Sequence, residues 1–232
     1  MSADDETDVW APWAYEDPYD CIALDPPWLE RGAGKSKRGA DRHYPLVRTE
    51  CMPELIIGSG YWRPSRDAHM YMWVTNNFLE DGLWLMGVLG FRYITNLPWV
   101  KLTSNEQRIL EATGMLEAGM PTERALAKML VSGIGQYFRG QHELLLFGVR
   151  KGGSPYALRS EHKDIGTVIY GARGEHSSKP PAAMERIELR TQAPDRKTRR
   201  VEFFSRAPRP GWEGWGRLAN QEVAWGSDGR QK

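Results

Sequence analysis

An α/β fold is the architecture this sequence predicts, on three observations. Apolar runs of strand length recur along the chain, at Tyr19–Leu24, Ala68–Val74 and Leu144–Val149. Segments with helical spacing alternate with them, as from Asn76 to about Leu89, where Phe78, Leu85 and Leu89 share one face. The 232 residues, 41% hydrophobic, suffice for one good core, so a single domain is expected.

Taken in order, residues 1–18 read as a loosely ordered lead, acidic at Asp4, Asp5, Glu6 and Asp8, with Trp10 and Trp13 given no chemistry. The first strand ends at Asp25. Residues 29–42 are rich in Gly, Lys, Arg and Ser without apolar periodicity, and read as a mobile loop that closes over substrate. Cys51–Ile57 reads as a short helix with Pro53 near its first turn. A buried strand at Ala68–Val74 precedes the helix that Asn76 is expected to cap and Gly90 to end. Phe91–Lys101 gives the next strand.

Residues 102–134 carry two helical patterns, Glu106–Leu116 and Thr122–Val131. They read as an inserted arm, either touching nucleic acid or a partner, or serving as an extra packing layer. The strand Leu144–Val149 follows, then a Gly/Ser/Pro connector at Lys151–Pro155 and a brief apolar stretch at Val168–Tyr170. Gly174–Pro180 reads as a second mobile loop, with Ser177 or Ser178 capping a helix from about Pro181 to Leu189. Arg200–Phe204 gives a last strand, and Arg206–Gly216 a Pro/Gly/Trp-rich loop.

The most informative stretch is Asp25-Pro26-Pro27-Trp28, at the end of the first strand. Two prolines remove two backbone donors and stiffen the turn, leaving carbonyls as acceptors of fixed direction. Asp25 adds a carboxylate, and Trp28 adds a flat face for stacking. Such a socket suits a planar amine on an aromatic ring, and the exocyclic amine of a nucleobase fits that description. The adenine amine is a weak nucleophile because its lone pair is delocalised into the ring. Two acceptors on its N–H bonds would localise that pair, and alkylation then needs orientation and electrostatic stabilisation rather than a covalent intermediate.

Net charge is +1, yet basic residues gather locally. Arg31, Lys35, Lys37, Arg38 and Arg42 follow the Asp-Pro-Pro-Trp turn directly, and Arg196, Lys197, Arg199 and Arg200 form a second group. Such stripes meet a phosphate backbone even when total charge is near zero, and the alternative is a solvated loop. At the end of the first basic loop, His43 and Tyr44 stand as candidate substrate contacts. Cys21 and Cys51 are too few for a disulfide framework, and with the five histidines they show no zinc-type spacing, so no metal is expected. Neither a bilayer-spanning run nor a signal-peptide pattern is present, which suits a cytoplasmic protein with no membrane partner.

Asp25-Pro26-Pro27-Trp28 resembles the catalytic tetrapeptide of the N6-adenosine-methyltransferase catalytic-subunit family, whose bacterial and phage members methylate adenine in DNA and whose eukaryotic members methylate messenger RNA. Further stretches match in the family's order: Gly39–Pro45, Leu97–Lys101, His142–Arg150, Ser177–Pro180, and Glu202–Arg206 with Gly211–Gly216. The resemblance implies a Rossmann-like sheet dependent on S-adenosylmethionine, with helices on both faces and the catalytic motif ahead of the cofactor motif. Asp25, Pro26, Pro27 and Trp28 are then catalytic. Asp25, Lys179, Glu202, Phe203 and Arg206 hold the cofactor, Lys179 meeting its carboxylate. Asn220 and Gln221 join them, although Arg217-Leu218-Ala219 separates them from the Gly-Trp-x-x-Trp-Gly block, a departure from the family pattern. Arg139 and Glu143 lie near the substrate.

The resemblance also implies a cytoplasmic setting in a bacterial or phage-infected cell. Missing zinc-finger and RNA-recognition modules tilt the substrate toward DNA, with RNA and cytosine N4 left open. A homodimer or heterodimer is open too. The reading from another class is a nucleic-acid-binding partner that has lost catalysis.

Overall fold

The computed structural model describes residues 17–29, 46–133, 137–154, 157–158, 161–162, 164–174, 178–206 and 208–216. Seven strands form one mixed sheet: β1 (Tyr19–Leu24), β2 (Pro64–Val74), β3 (Phe91–Leu102), β4 (His142–Arg150), β5 (Ile169–Ala172), β6 (Arg200–Phe203) and β7 (Glu213–Trp215), in the spatial order β5-β3-β4-β2-β1-β6-β7. Only β4 runs against its neighbours. Its first residues therefore share an edge with the carboxyl ends of the other strands.

The period of two along β1 and β2 splits the apolar residues between the faces. Ile22, Leu24, Met70, Met72 and Val74 meet α1 (Met52–Ile57) and α2 (Leu79–Val88) through Met52, Leu55, Ile56, Leu85 and Met86. Cys21, Tyr71 and Trp73 point the other way, toward Ala183, Met184 and Ile187 of α5 (Pro181–Arg190). Buried on both sides, β1 and β2 read as near-continuous apolar runs, the pattern of parallel strands under helices. Gly82 sets the approach of α2, since a Cβ there would lie 2.5 Å from Val74 Cγ1.

Chain order locates the crevice. The β1–β2 connection carries α1 on one face, and the β5–β6 connection carries α5 on the other. Since β1 lies between β2 and β6, the chain parts in opposite directions around β1 and β6. Ligands of open α/β sheets gather outside the carboxyl ends at such a switch point.

Several expectations are refined. The helix expected to be capped by Asn76 begins with a 3₁₀ turn at Asn76–Phe78, so Phe78 occupies the cap of α2 without a side-chain hydrogen bond. Pro180 caps α5, where Ser178 was expected; Ser177 lies outside the described residues. The Trp-rich loop contains β7, which pairs in parallel with β6 because Gly216 has no side chain: a Cβ there would meet Ser205 O at 2.5 Å. Between β3 and β4, α3 (Glu106–Glu117) and α4 (Thr122–Met129) occupy the region of the expected arm, with Asn105 Oδ1 accepting from Arg108 N at 3.0 Å. Among the described residues no helix is long and apolar enough to cross a membrane.

Candidate active site

β1 delivers Asp25 to the crevice. Its backbone N–H donates to Phe203 O at 3.3 Å, which ties the exit of β1 to the last residue of β6. Phe204 follows at φ 61°, a left-handed conformation that costs a non-glycine residue on the order of 1 kcal/mol and turns the chain sharply there.

The prolines behave as their chemistry requires, with one addition. Pro26 O accepts from Trp28 N and Pro27 O from Val47 N, both at 2.9 Å. Each carbonyl thus spends one of its two lone pairs within the protein, and the other keeps its direction. Trp28 differs from the open stacking platform expected of it. Its ring is 8% exposed, stacks on Phe78 with centroids 5.4 Å apart, and donates Nε1–H to Trp73 O at 3.1 Å. Burial of the indole anchors the turn that carries Asp25.

Around Asp25 runs a chain of alternating charge. Lys179 Nζ lies 3.0 Å from Asp25 Oδ1 and 3.3 Å from Glu143 Oε2. Lys101 Nζ lies 2.6 Å from Glu143 Oε1, and Arg206 Nη2 lies 3.8 Å from Asp25 Oδ2. Lys179 also sits 5.3 Å from the centroid of the Trp73 ring, and Lys101 sits 5.2 Å from that of Trp99. Five elements contribute: the exit of β1, the end of β3, the start of β4, the segment before α5 and the exit of β6.

Burial works to raise the Glu143 carboxyl, but Lys179 and Lys101 outweigh it and hold Glu143 below the usual carboxylate range. For Lys179, burial favours the neutral amine; Asp25 and then Glu143 overcome that, and its affinity for the proton rises. Both groups are therefore charged at neutral pH. Glu202, one strand over, is pushed up by burial, with Arg209 opposing and Asp25 adding to the rise. Arg209 Nε lies 3.5 Å from Glu202 Oε2.

Of the site residues expected from the sequence, Asp25, Lys179, Glu143 and Arg206 come together, with Glu202 beside them. Phe203, expected at the cofactor, has its ring fully buried against Trp62 and Trp215, so only its backbone faces that end of β6. Arg139 lies exposed before β4. Lys35, Lys37, Arg38, His43, Tyr44, Asn220 and Gln221 lie outside the described residues. Lys101 enters the sequence reading only as the last residue of the matching stretch Leu97–Lys101; its place at a strand's carboxyl end is the signal that could single it out. Among the described residues no group of three potential metal ligands converges.

A mixed α/β sheet of this order, with helices on both faces and an ionic crevice at the switch point, has the Rossmann-like fold of a methyltransferase. The chain belongs to the MT-A70 family, whose model matches residues 19–218. Membership makes it a methyltransferase and indicates N6-adenine methylation of nucleic acid, in a family that typically uses S-adenosylmethionine.

Proposed function

We propose that this chain transfers a methyl group from S-adenosylmethionine to the N6 amine of adenine in DNA, in a bacterial or phage-infected cell, with Asp25 as the central residue. The observation carrying this reading is that Asp25 leaves β1 at the switch point and meets Lys179 there at 3.0 Å.

The residues fit the cofactor chemically. Asp25 offers a carboxylate to an ammonium group, while Lys179 and Arg206 offer cations to a carboxylate, so opposite charges stand side by side for a zwitterionic amino-acid end. Glu202 is suited to ribose hydroxyls. When bound, S-adenosylmethionine supplies an electrophilic methyl on a sulfonium.

Asp25 and the unused lone pair of Pro26 O are acceptors for the two N–H bonds of the amine, restoring lone-pair density to its nitrogen. Glu143, ionised between Lys101 and Lys179, fixes the second side of the Lys179 ammonium and limits its swing. Trp28, locked on Phe78, keeps the turn rigid, so orientation costs little when substrate arrives. A base in a duplex must first be extruded, at a few kcal/mol.

The test incubates the purified chain with labelled S-adenosylmethionine and matched DNA and RNA oligonucleotides, followed by nucleoside mass spectrometry. N6-methyladenine in DNA, absent with Asp25→Ala, is the expected result. Product in RNA alone reassigns the substrate; N4-methylcytosine reassigns the base. A chain that binds oligonucleotides without transferring methyl is a silent partner subunit. Lys179→Ala should weaken S-adenosylmethionine binding by ~10- to 100-fold in calorimetry, as loss of a charged hydrogen bond of about 1.5–3 kcal/mol requires; unchanged affinity removes Lys179 from the cofactor.

A further inference from the structure

Near the crevice, two aromatic side chains lie exposed. Lys101, already in the ionic chain, is flanked on its backbone by two segments: Lys101 N donates to Gln141 O at 2.9 Å, and Val131 N donates to Lys101 O at 2.8 Å. Gly133 N donates to Gly140 O at 2.7 Å, and Gln141 Nε2 donates to Ser132 Oγ at 3.1 Å, which holds Ser132 and Gly133 against Gly140 and Gln141. Just ahead of Gly140, Tyr137 is 93% exposed and Phe138 is 89% exposed, followed by the exposed Arg139. Phe138 stands five residues ahead of Glu143. Its Cα thus lies at most roughly 18 Å from that of Glu143, within a handful of nucleotides of a base held at Asp25.

We infer that Tyr137 and Phe138 stack on nucleotides flanking the target adenine, with Arg139 on the adjoining phosphate. Two rings offer about 300–500 Å² in total, well under the ~800 Å² per partner of a stable protein interface. They are an ample platform for one or two bases, because every base has a π-face. A guanidinium next to the rings matches a phosphodiester, whereas an apolar protein surface would have to desolvate it. This surface also supplies the open aromatic face that Trp28, sealed on Phe78, does not.

The inference rests on the proposed nucleic-acid substrate, and its test separates the two. Single-stranded, adenine-rich DNA of mixed sequence and its RNA counterpart are the probes, with fluorescence anisotropy for binding and methyl transfer for kinetics. Tyr137→Ala with Phe138→Ala should raise Kd and KM together by roughly 5- to 150-fold, leaving kcat within about twofold, a range too small to reflect lost transition-state contacts. S-adenosylmethionine affinity and Tm should stay at wild-type values. The ring-keeping pair Tyr137→Phe with Phe138→Tyr should retain wild-type KM. Arg139→Gln should lower the salt slope of binding by about one.

Wild-type Kd and KM in the double alanine variant overturn the inference. So does a loss of self-association in light scattering with oligonucleotide affinity intact, which makes the two rings a protein contact. A wild-type chain that binds S-adenosylmethionine but no oligonucleotide sinks the proposed substrate first, and the stacking surface with it.

Discussion

The two ends of β1 each carry an aspartate facing arginine or lysine, and the resemblance stops there. At the amino end, Asp20 is 0% exposed and enclosed by three donors: Arg196 Nη1 and Nη2 donate at 2.5 and 2.6 Å, and Arg199 N at 3.0 Å. Nearby, Tyr19 OH donates to Glu213 at 2.5 Å and accepts from Arg63 at 3.0 Å, while Arg199 also pairs with Glu213. At the carboxyl end, Asp25 is 20% exposed and holds two cations, one of them shared with Glu143. A carboxylate accepts about four hydrogen bonds, so Asp25 keeps capacity for a ligand. Residue type does not separate structure from function here; hydrogen-bonding capacity open to a ligand does.

The contrast breaks most visibly through substitution at each end. Asp25→Ala should lower kcat by about 100- to 1000-fold, the usual scale for one group aimed at transition-state charge, with Tm unchanged within a degree or two. A variant that transfers at near wild-type rate moves the chemistry elsewhere.

The second effect is on pH. Burial lowers the His69 pKa to about 4, with Arg190 adding to the fall and Asp20 opposing it. His69 Nδ1 meets Thr191 Oγ1 at 2.9 Å, and Tyr71 OH meets the same oxygen at 3.0 Å. The unfolded imidazole titrates near 6.5, so between pH 6.5 and 4 the unfolded chain binds a proton that the folded chain does not. The contribution is full above 6.5 and shrinks as pH falls, by up to ~1.4 kcal/mol per unit and about 3 kcal/mol over the window. Denaturation across that range should show the slope in wild type and a flatter one in His69→Gln. Glu143, held low, and Lys179, held high, keep their charges throughout the neutral range. Within the crevice, Glu202, pushed up by burial, adds a contribution of opposite sign, gaining stability as pH falls, so the falling slope belongs to the His69 neighbourhood.

The sequence displays most of the sheet because β1, β2 and β4 are apolar enough to announce themselves. It displays Asp25 because a Pro-Pro turn after a buried strand is costly to keep for packing alone. Pairings between distant residues are invisible to it. Nothing local says that Trp28 finds Phe78 fifty residues on, or that Lys101 reaches Glu143. Lys179 looks like a surface lysine until the β5–α5 connection carries it to Asp25, and only the family resemblance nominated it. β7 escaped because three residues among glycines and tryptophans have no strand pattern of their own; pairing with β6 creates it. The caps of α2 and α5 misled because Asn76 and Ser178 suit capping, but Asn76 opens a 3₁₀ turn and Ser178 stands ahead of a Pro-Pro start.

Asp20→Ala should cost about 1–3 kcal/mol of stability through the partners left unpaired, lowering Tm by several degrees, while kcat for the folded fraction stays at wild type. An equal loss of kcat would mean that the two ends of β1 are coupled through the strand.

The smallest effect sharpens the same boundary. Tyr19 is fully buried, its hydroxyl engaged by Glu213 and Arg63, and the Arg63 and Arg199 guanidinium groups lie 5.2 and 4.9 Å from its ring centroid. Tyr19→Phe keeps the ring and both cation contacts and removes only the hydroxyl. The expected cost is about 0.5–1.5 kcal/mol, near the lower end because Glu213 still pairs with Arg199. Burial also raises the Tyr19 pKa to about 12, with the Glu213 hydrogen bond adding to it. The unfolded phenol ionises near 10, so its contribution is full below that and is lost as pH rises toward 12; the phenylalanine variant lacks that alkaline loss. Chemical denaturation at pH 7 and pH 10.5 measures both, and methyl transfer at pH 7 should be unchanged. A fall in transfer with stability intact would place the amino end of β1 in the reaction and erase the division between its two aspartates.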